Sequence, residues 1–242
     1  MTIAIKICGL KNESTIAAVA AAGADYAGFV YYPKSPRHVS IERMAQLKNL
    51  LPETIKSVAV LVNPDDDLLT EIASKVQPDF FQLHGDETVQ RLSEIRKNFP
   101  QIKLIKAIAV RDADDIKKSS NFSEIADFIL FDAKPTSSDM GRGGNGISFD
   151  WDIIPPPLGG RLGGGQINNA MQNQPPPQPS PYWGGSHWFL SGGLNAKNIT
   201  EALHKTGAKF IDASSGVESS VGVKDVGMIE EFVRIAKAEC GV

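Results

Sequence analysis

Two periodicities alternate along the chain. Short runs that are apolar on both faces occur at 3–8, 26–30, 57–62, 80–83, 104–109, 128–131, 188–190 and 210–211. Their length and two-sided apolarity suit buried parallel strands. Between them, apolar residues return every three or four positions. Ile16, Val19 and Ala20 share one helical stripe, with Gly23 where a left-handed cap would end it. Leu68, Leu69, Ile72 and Val76 form a second stripe, opened by Asp65, Asp66 and Asp67. Val89, Leu92 and Ile95 form a third, opened by Asp86. Ile199 and Leu203 follow Asn195 and stop before Gly207, and Ile229, Phe232, Val233 and Ala236 close the chain. The stretch after Arg111 carries a weaker helical pattern.

Eight strands with intervening helices predict an α/β protein, a single-domain (β/α)8 TIM barrel. An open doubly wound sheet is the architectural alternative. Its dinucleotide fingerprint is missing from the first turn, which reads Cys8-Gly9-Leu10-Lys11-Asn12. Most strand ends lie roughly 20–30 residues apart, the size of one βα unit, whereas the step from Asp132 to Ser191 is about twice that. The surplus is the segment 155–186, between strands six and seven, with two triple prolines, one triple glycine and no Asp or Glu. Such a composition buries too little apolar surface to offset its ordering entropy. It reads as a flexible, partly polyproline-like insertion, with Tyr182, Trp183 and Trp188 near its end as candidates to pack back on the barrel.

Composition changes this picture little. The chain has 242 residues, 42% hydrophobic and 22% charged, enough for a core without metal or disulfide staples. A net charge of −3 argues against a general nucleic-acid or anionic-membrane surface. Cys8 and Cys240 cannot form a disulfide framework, and no Cys/His cluster has zinc spacing. No metal and no cofactor is expected. The first residues lack a signal-peptide layout and no apolar stretch is long enough to span a bilayer, so a reduced cytoplasmic location is expected. A monomer or homodimer is expected.

In a barrel, side chains at the carboxyl ends of the strands converge on one face. Cys8 and Asp132 end strands one and six, where a thiol and a carboxyl can work as base and acid. On spacing alone, an inert buried Cys8 and a loop-capping Asp132 are the plainer readings. Arg37 follows strand two in a proline-stiffened loop and suits a carboxylate, or is a solvated surface arginine. His84 could bind substrate or hydrogen-bond within the strand-end layer. Lys224 and Asp225 read as a solvated helix start. Ser191-Gly192-Gly193-Leu194 and Ser214-Ser215-Gly216-Val217-Glu218 follow strands seven and eight. Together they read as a phosphate cradle of backbone N–H groups rather than two ordinary turns.

These motifs resemble the N-(5′-phosphoribosyl)anthranilate isomerase family of tryptophan biosynthesis. The matching pieces are Lys6-Ile7-Cys8-Gly9-Leu10, Ser35-Pro36-Arg37, Val60-Leu61-Val62-Asn63, Gln82-Leu83-His84-Gly85, Phe131-Asp132, the run from Gly143 to Trp151, Leu190-Ser191-Gly192-Gly193-Leu194, and the run from Asp212 to Glu218. They cover nearly the whole chain apart from 155–186. The resemblance implies an Amadori rearrangement of a phosphosugar, with Cys8 as general base and Asp132 as general acid. It implies that Arg37 holds the anthranilate carboxylate. Gly192, Gly193, Ser215 and Gly216, with Gly144 and Gly146 nearby, would hold the phosphate, and His84, Asp212 and Ser214 join the substrate-binding set. A related two-substrate sugar isomerase uses an aspartate where this chain has Cys8. Indole-glycerol-phosphate synthase relies on lysine and glutamate at strand ends. The reading from another class is a non-catalytic barrel scaffold that presents the proline-rich segment to a partner.

Overall fold

The computed structural model describes residues 2–133, 148–154 and 187–239. Eight parallel strands close into a barrel in sequence order, and β8 pairs back to β1. They are β1 (Ala4–Cys8), β2 (Tyr26–Tyr31), β3 (Lys56–Leu61), β4 (Phe80–Leu83), β5 (Lys103–Val110), β6 (Phe128–Ala133), β7 (His187–Leu190) and β8 (Phe210–Ala213). Around them lie α1 (Glu13–Ala22), α2 (Ile41–Lys48), α3 (Asp66–Lys75), α4 (Val89–Asn98), α5 (Ala113–Lys118), α6 (Ile199–Thr206) and α7 (Val226–Ala238). A short antiparallel hairpin of β9 (Glu218–Ser220) and β10 (Val223–Lys224) separates β8 from α7.

Local chemistry sets most of the helix ends. Side-chain oxygens of Asn12, Ser40, Asp65, Thr88, Asp112 and Asp225 accept from backbone N–H groups in the first turn, satisfying donors that have no helical partner. Gly23 and Gly207 end α1 and α6 with φ of 77° and 63°. The start of α4 differs from the sequence expectation, because Thr88 rather than Asp86 caps it. The periodicity also passed over α2. Only Ile41, Met44 and Leu47 are buried along its eight residues, too short a stripe to stand out. The weak pattern after Arg111 is the short α5, which buries only Asp115 and Ile116.

Two apolar layers result. Outward-facing strand residues such as Ile5, Ile7, Phe81, Leu83, Ile129 and Phe131 meet the buried helix faces. Inward-facing residues fill the barrel itself. At its amino-terminal end Tyr26, Phe80, Phe128 and Phe210, all from even-numbered strands, form an aromatic floor. Their edge-on contacts have ring centroids 5.1–6.5 Å apart, and Phe189 lies against Tyr26 at 5.3 Å. Alternate-strand layering of this kind makes the interior a packed core, so chemistry is confined to the carboxyl ends. Trp188 packs on Phe131, with centroids 5.7 Å apart. Tyr182, Trp183 and the segment 155–186 lie outside the described residues. No helix among the described residues is long and apolar enough to cross a membrane.

Candidate active site

Strand alternation decides which side chains reach the barrel mouth. On β1, Lys6 and Cys8 both point inward, and on β6 Phe128, Leu130 and Asp132 do. Cys8 and Asp132 therefore sit on the inner register at the carboxyl ends of their strands, 7% and 4% exposed. His84 follows β4 on the same inward register as Phe80 and Gln82. Its Nε2 lies 3.2 Å from Asp132 Oδ2, and its Nδ1 lies 2.9 Å from Gln82 Nε2. The backbone N–H of Ala133 donates to the other Asp132 oxygen at 3.0 Å.

Below Cys8 lies a buried ion pair. Lys6 is fully buried, and its Nζ donates to Asp212 Oδ1 at 2.8 Å. Ser191 Oγ donates to Asp212 Oδ2 at 3.2 Å. Burial alone would lower the Lys6 pKa, but Asp212 and Cys8 outweigh it and the ammonium is held above its ordinary value. Burial pushes the Cys8 thiol above its ordinary value, against the pull of Lys6; Asp212 adds to the rise and Lys224 opposes it. Both oxygens of Asp212 thus accept from protein groups, and Asp212 is the buried countercharge of Lys6.

Arg37 is buried, at 7% exposure, and the solvated-arginine alternative does not hold. Its Nε and Nη2 donate to the two carboxylate oxygens of Glu218 at 2.7 and 2.8 Å, a two-pronged grip across 181 residues of sequence. Glu218 also pairs with Lys224 and accepts the Gly222 N–H at 3.1 Å. Burial would raise the Glu218 pKa, but Arg37 and Lys224 hold it below the usual value. The reading of Lys224 as part of a solvated helix start is corrected here. It lies on β10 and is buried by Glu218 and Ser214, while Asp225 does cap α7. Burial lowers the Lys224 ammonium's pKa, with Glu218 working the other way.

The two glycine-rich turns meet. Gly192 and Gly193 adopt φ of 87° and 66°, a conformation open to glycine at little cost. Asn195 and Asn198 both donate side-chain N–H groups to the Gly193 carbonyl, at 2.9 and 3.0 Å. That fixes the Gly193–Leu194 peptide plane and turns the Leu194 N–H the opposite way. Ser215 and Gly216 lie in a single 3-10 turn, Ser215–Val217. A Cβ on Gly216 would stand 1.9 Å from the Leu194 carbonyl oxygen, so the two turns touch only because that position is glycine. Ser214 Oγ is spent on the Cys8 carbonyl at 3.1 Å, tying the end of β8 to the end of β1. Gly144 and Gly146 lie outside the described residues.

Sequence reasoning gave no separate role to Lys6, Gln82, Glu87 or Lys106. The readable signal was polarity inside apolar runs, as in Phe80-Phe81-Gln82-Leu83. Lys106 faces outward from the barrel, and its Nζ donates to Glu87 Oε2 and the Gly85 carbonyl, both at 2.7 Å. Glu87 in turn accepts the N–H groups of Asn63 and Gly85. This pair braces the loop that carries His84.

A closed parallel barrel with a thiol, a carboxyl and buried cations gathered at its carboxyl-terminal mouth defines a (β/α)8-barrel enzyme. A family profile described as N-(5′-phosphoribosyl)anthranilate (PRA) isomerase matches residues 5–235. The N-(5′-phosphoribosyl)anthranilate isomerase of Parvibaculum lavamentivorans is 42% identical over 239 residues, covering 98% of this chain and 99% of that one. The crystal structure of phosphoribosyl anthranilate isomerase from Thermotoga maritima is 32% identical with a TM-score of 0.77, covering 98% of this chain and 100% of that one. A structure of the isomerase with reduced 1-(o-carboxyphenylamino)-1-deoxyribulose 5-phosphate is 30% identical with a TM-score of 0.75, with the same coverage. The chain belongs to the N-(5′-phosphoribosyl)anthranilate isomerase family, isomerases of tryptophan biosynthesis.

Proposed function

We propose that this chain converts N-(5-phosphoribosyl)anthranilate to 1-(2-carboxyphenylamino)-1-deoxyribulose 5-phosphate with Cys8 as base and Asp132 as acid. The observation that carries the assignment is their shared inward register at the mouth of one barrel. Asp132, protonated, gives its proton to the furanose ring oxygen as the C1′–O bond breaks. The lone pair of the anthranilate nitrogen forms the iminium. That cation acidifies the C2′ hydrogen, which the Cys8 thiolate removes, and the enolamine then tautomerises to the ketone. Lys6, beneath Cys8, supplies a fixed positive charge that favours the thiolate against its burial. The direct test is turnover by the purified chain, followed as loss of the substrate's fluorescence, with rescue of a tryptophan auxotroph that lacks this isomerase.

The touching glycine turns are assigned to the phosphate. Gly216→Ala pushes a methyl group into the Leu194 carbonyl and forces the turns apart. Loss of one charge-assisted hydrogen bond raises KM by about tenfold or more, with kcat changed much less. An unchanged KM would remove the phosphate from these turns.

Arg37 is assigned to the anthranilate carboxylate. Glu218 fixes the plane of its guanidinium, so the charge reaches the mouth in one orientation. Arg37→Lys keeps the charge but not the planar fork, and a KM increase of about 10-fold is expected in steady-state kinetics. Equal affinity for substrate in the variant would refute this role.

A further inference from the structure

The inference rests on the assignment of Asp132 as the acid. Gln82 lies on β4, fully buried, on the inward register between Phe80 and His84. Its Nε2 is 2.9 Å from His84 Nδ1. An amide nitrogen carries hydrogens and offers no lone pair, so Nδ1 must be the acceptor in this contact. A neutral imidazole with a bare Nδ1 carries its single proton on Nε2. That nitrogen faces Asp132 Oδ2 at 3.2 Å.

The amide orientation has its own physical support. Gln82 Oε1 is buried and has no hydrogen-bond partner among the described residues. Turning the amide over would instead strand its N–H donors in that place, and orphaned buried N–H groups are rarer than under-satisfied carbonyls. The ring has little freedom to escape the arrangement. Gly85, its neighbour, donates its N–H to Glu87 and gives its carbonyl to Lys106, and the His84 N–H donates to the Leu61 carbonyl at 2.8 Å.

We propose that Gln82 is a positioning residue for the acid: by fixing His84 in the Nε2–H form, it gives Asp132 Oδ2 a side-chain donor, so that the transferable proton sits on Oδ1, which as a hydroxyl can still accept the N–H of its neighbour Ala133. The Nε2–H of His84 serves both halves of the step. Before transfer it donates to the carbonyl-type oxygen of the neutral acid. After Oδ1–H has passed its proton to the sugar ring oxygen, it donates to the carboxylate. No rearrangement of the imidazole is needed between the two.

The test uses the full chain labelled with [15N]histidine. His84 is identified by the resonances lost in His84→Gln. Its Nδ1 should be unprotonated and its Nε2 protonated, matching His38, whose Nδ1 accepts the Tyr32 N–H at 3.1 Å. Gln82→Glu preserves the shape but, when ionised, can only accept, so His84 must then protonate Nδ1. Its kcat should fall at least about tenfold at neutral pH, by the logic of a wrong tautomer, with KM within about threefold of the parent. As pH falls, the pair of new carboxylate and imidazole takes up a second proton, which restores the Nε2–H of His84 toward Asp132, so the ratio of variant to parent kcat should climb. Gln82→Met should show a deficit that does not recover in this way. A protonated Nδ1 on His84 in the parent, or a Gln82→Glu ratio flat with pH, overturns the proposal. Full turnover in Asp132→Asn would instead overturn the acid assignment beneath it, a result independent of the tautomer seen by NMR.

Discussion

Cys8→Ala and Asp132→Asn are each expected to lower kcat at least about 100-fold, the scale of losing one general acid or base. The melting temperature should stay close to that of the parent. Cys8 contributes one small buried side chain to the interior cluster, and Asp132→Asn is nearly isosteric. KM should move little, because neither change touches Arg37 or the glycine turns. Cys8→Ser is expected to be about as inactive as alanine, since a serine hydroxyl is a far poorer source of the anion at neutral pH than a thiol. Stopped or steady-state fluorescence of the substrate measures all three. Near-normal turnover in either of the first two variants would mean that the proton leaves C2′, or reaches the ring oxygen, by another group.

The second large effect falls on stability. Lys6→Met leaves Asp212 charged, buried and without its cation, and should cost about 3–5 kcal/mol. Denaturant unfolding would read it as a lower midpoint with an unchanged slope. The double change Lys6→Met with Asp212→Leu removes both charges and should recover most of that loss, because a buried pair is often no more stable than apolar residues of similar size. Lys6→Met also withdraws the charge that pulls the thiol down. In a Cys240→Ser background, thiolate absorbance of Cys8 should then appear at still higher pH than in the parent. A single variant as stable as the parent would show that Lys6 and Asp212 are not the coupled pair their 2.8 Å contact describes.

Strands were legible because parallel-barrel strands are apolar on both faces and short. The helices with long apolar stripes were legible too, while α2 and α5 were obscured by how few of their residues touch the core. The candidate acid and base were visible as strand-end residues, yet their plainer readings could be set aside only through resemblance to a family. What the sequence could not show is pairing at a distance. Lys6 meets Asp212 across 206 residues and Arg37 meets Glu218 across 181. Lys224 looked solvated because its burial comes from an ion pair within a short, mostly exposed hairpin, which carries no apolar signal of its own. Gln82 betrays itself only once the register of β4 is known.

Among the described residues, the ring of aromatic residues beneath the ion pair closes the lower end of the barrel, so the strand-end groups face traffic from the upper rim. Solvent ions approaching from the lower rim meet that aromatic layer before the fully buried Lys6 ammonium. Its countercharge must therefore be built in, which is the task Asp212 performs. The lower rim, cut off from that traffic, is the part of the surface where tags, tethers or a solid support can be attached with least consequence for catalysis.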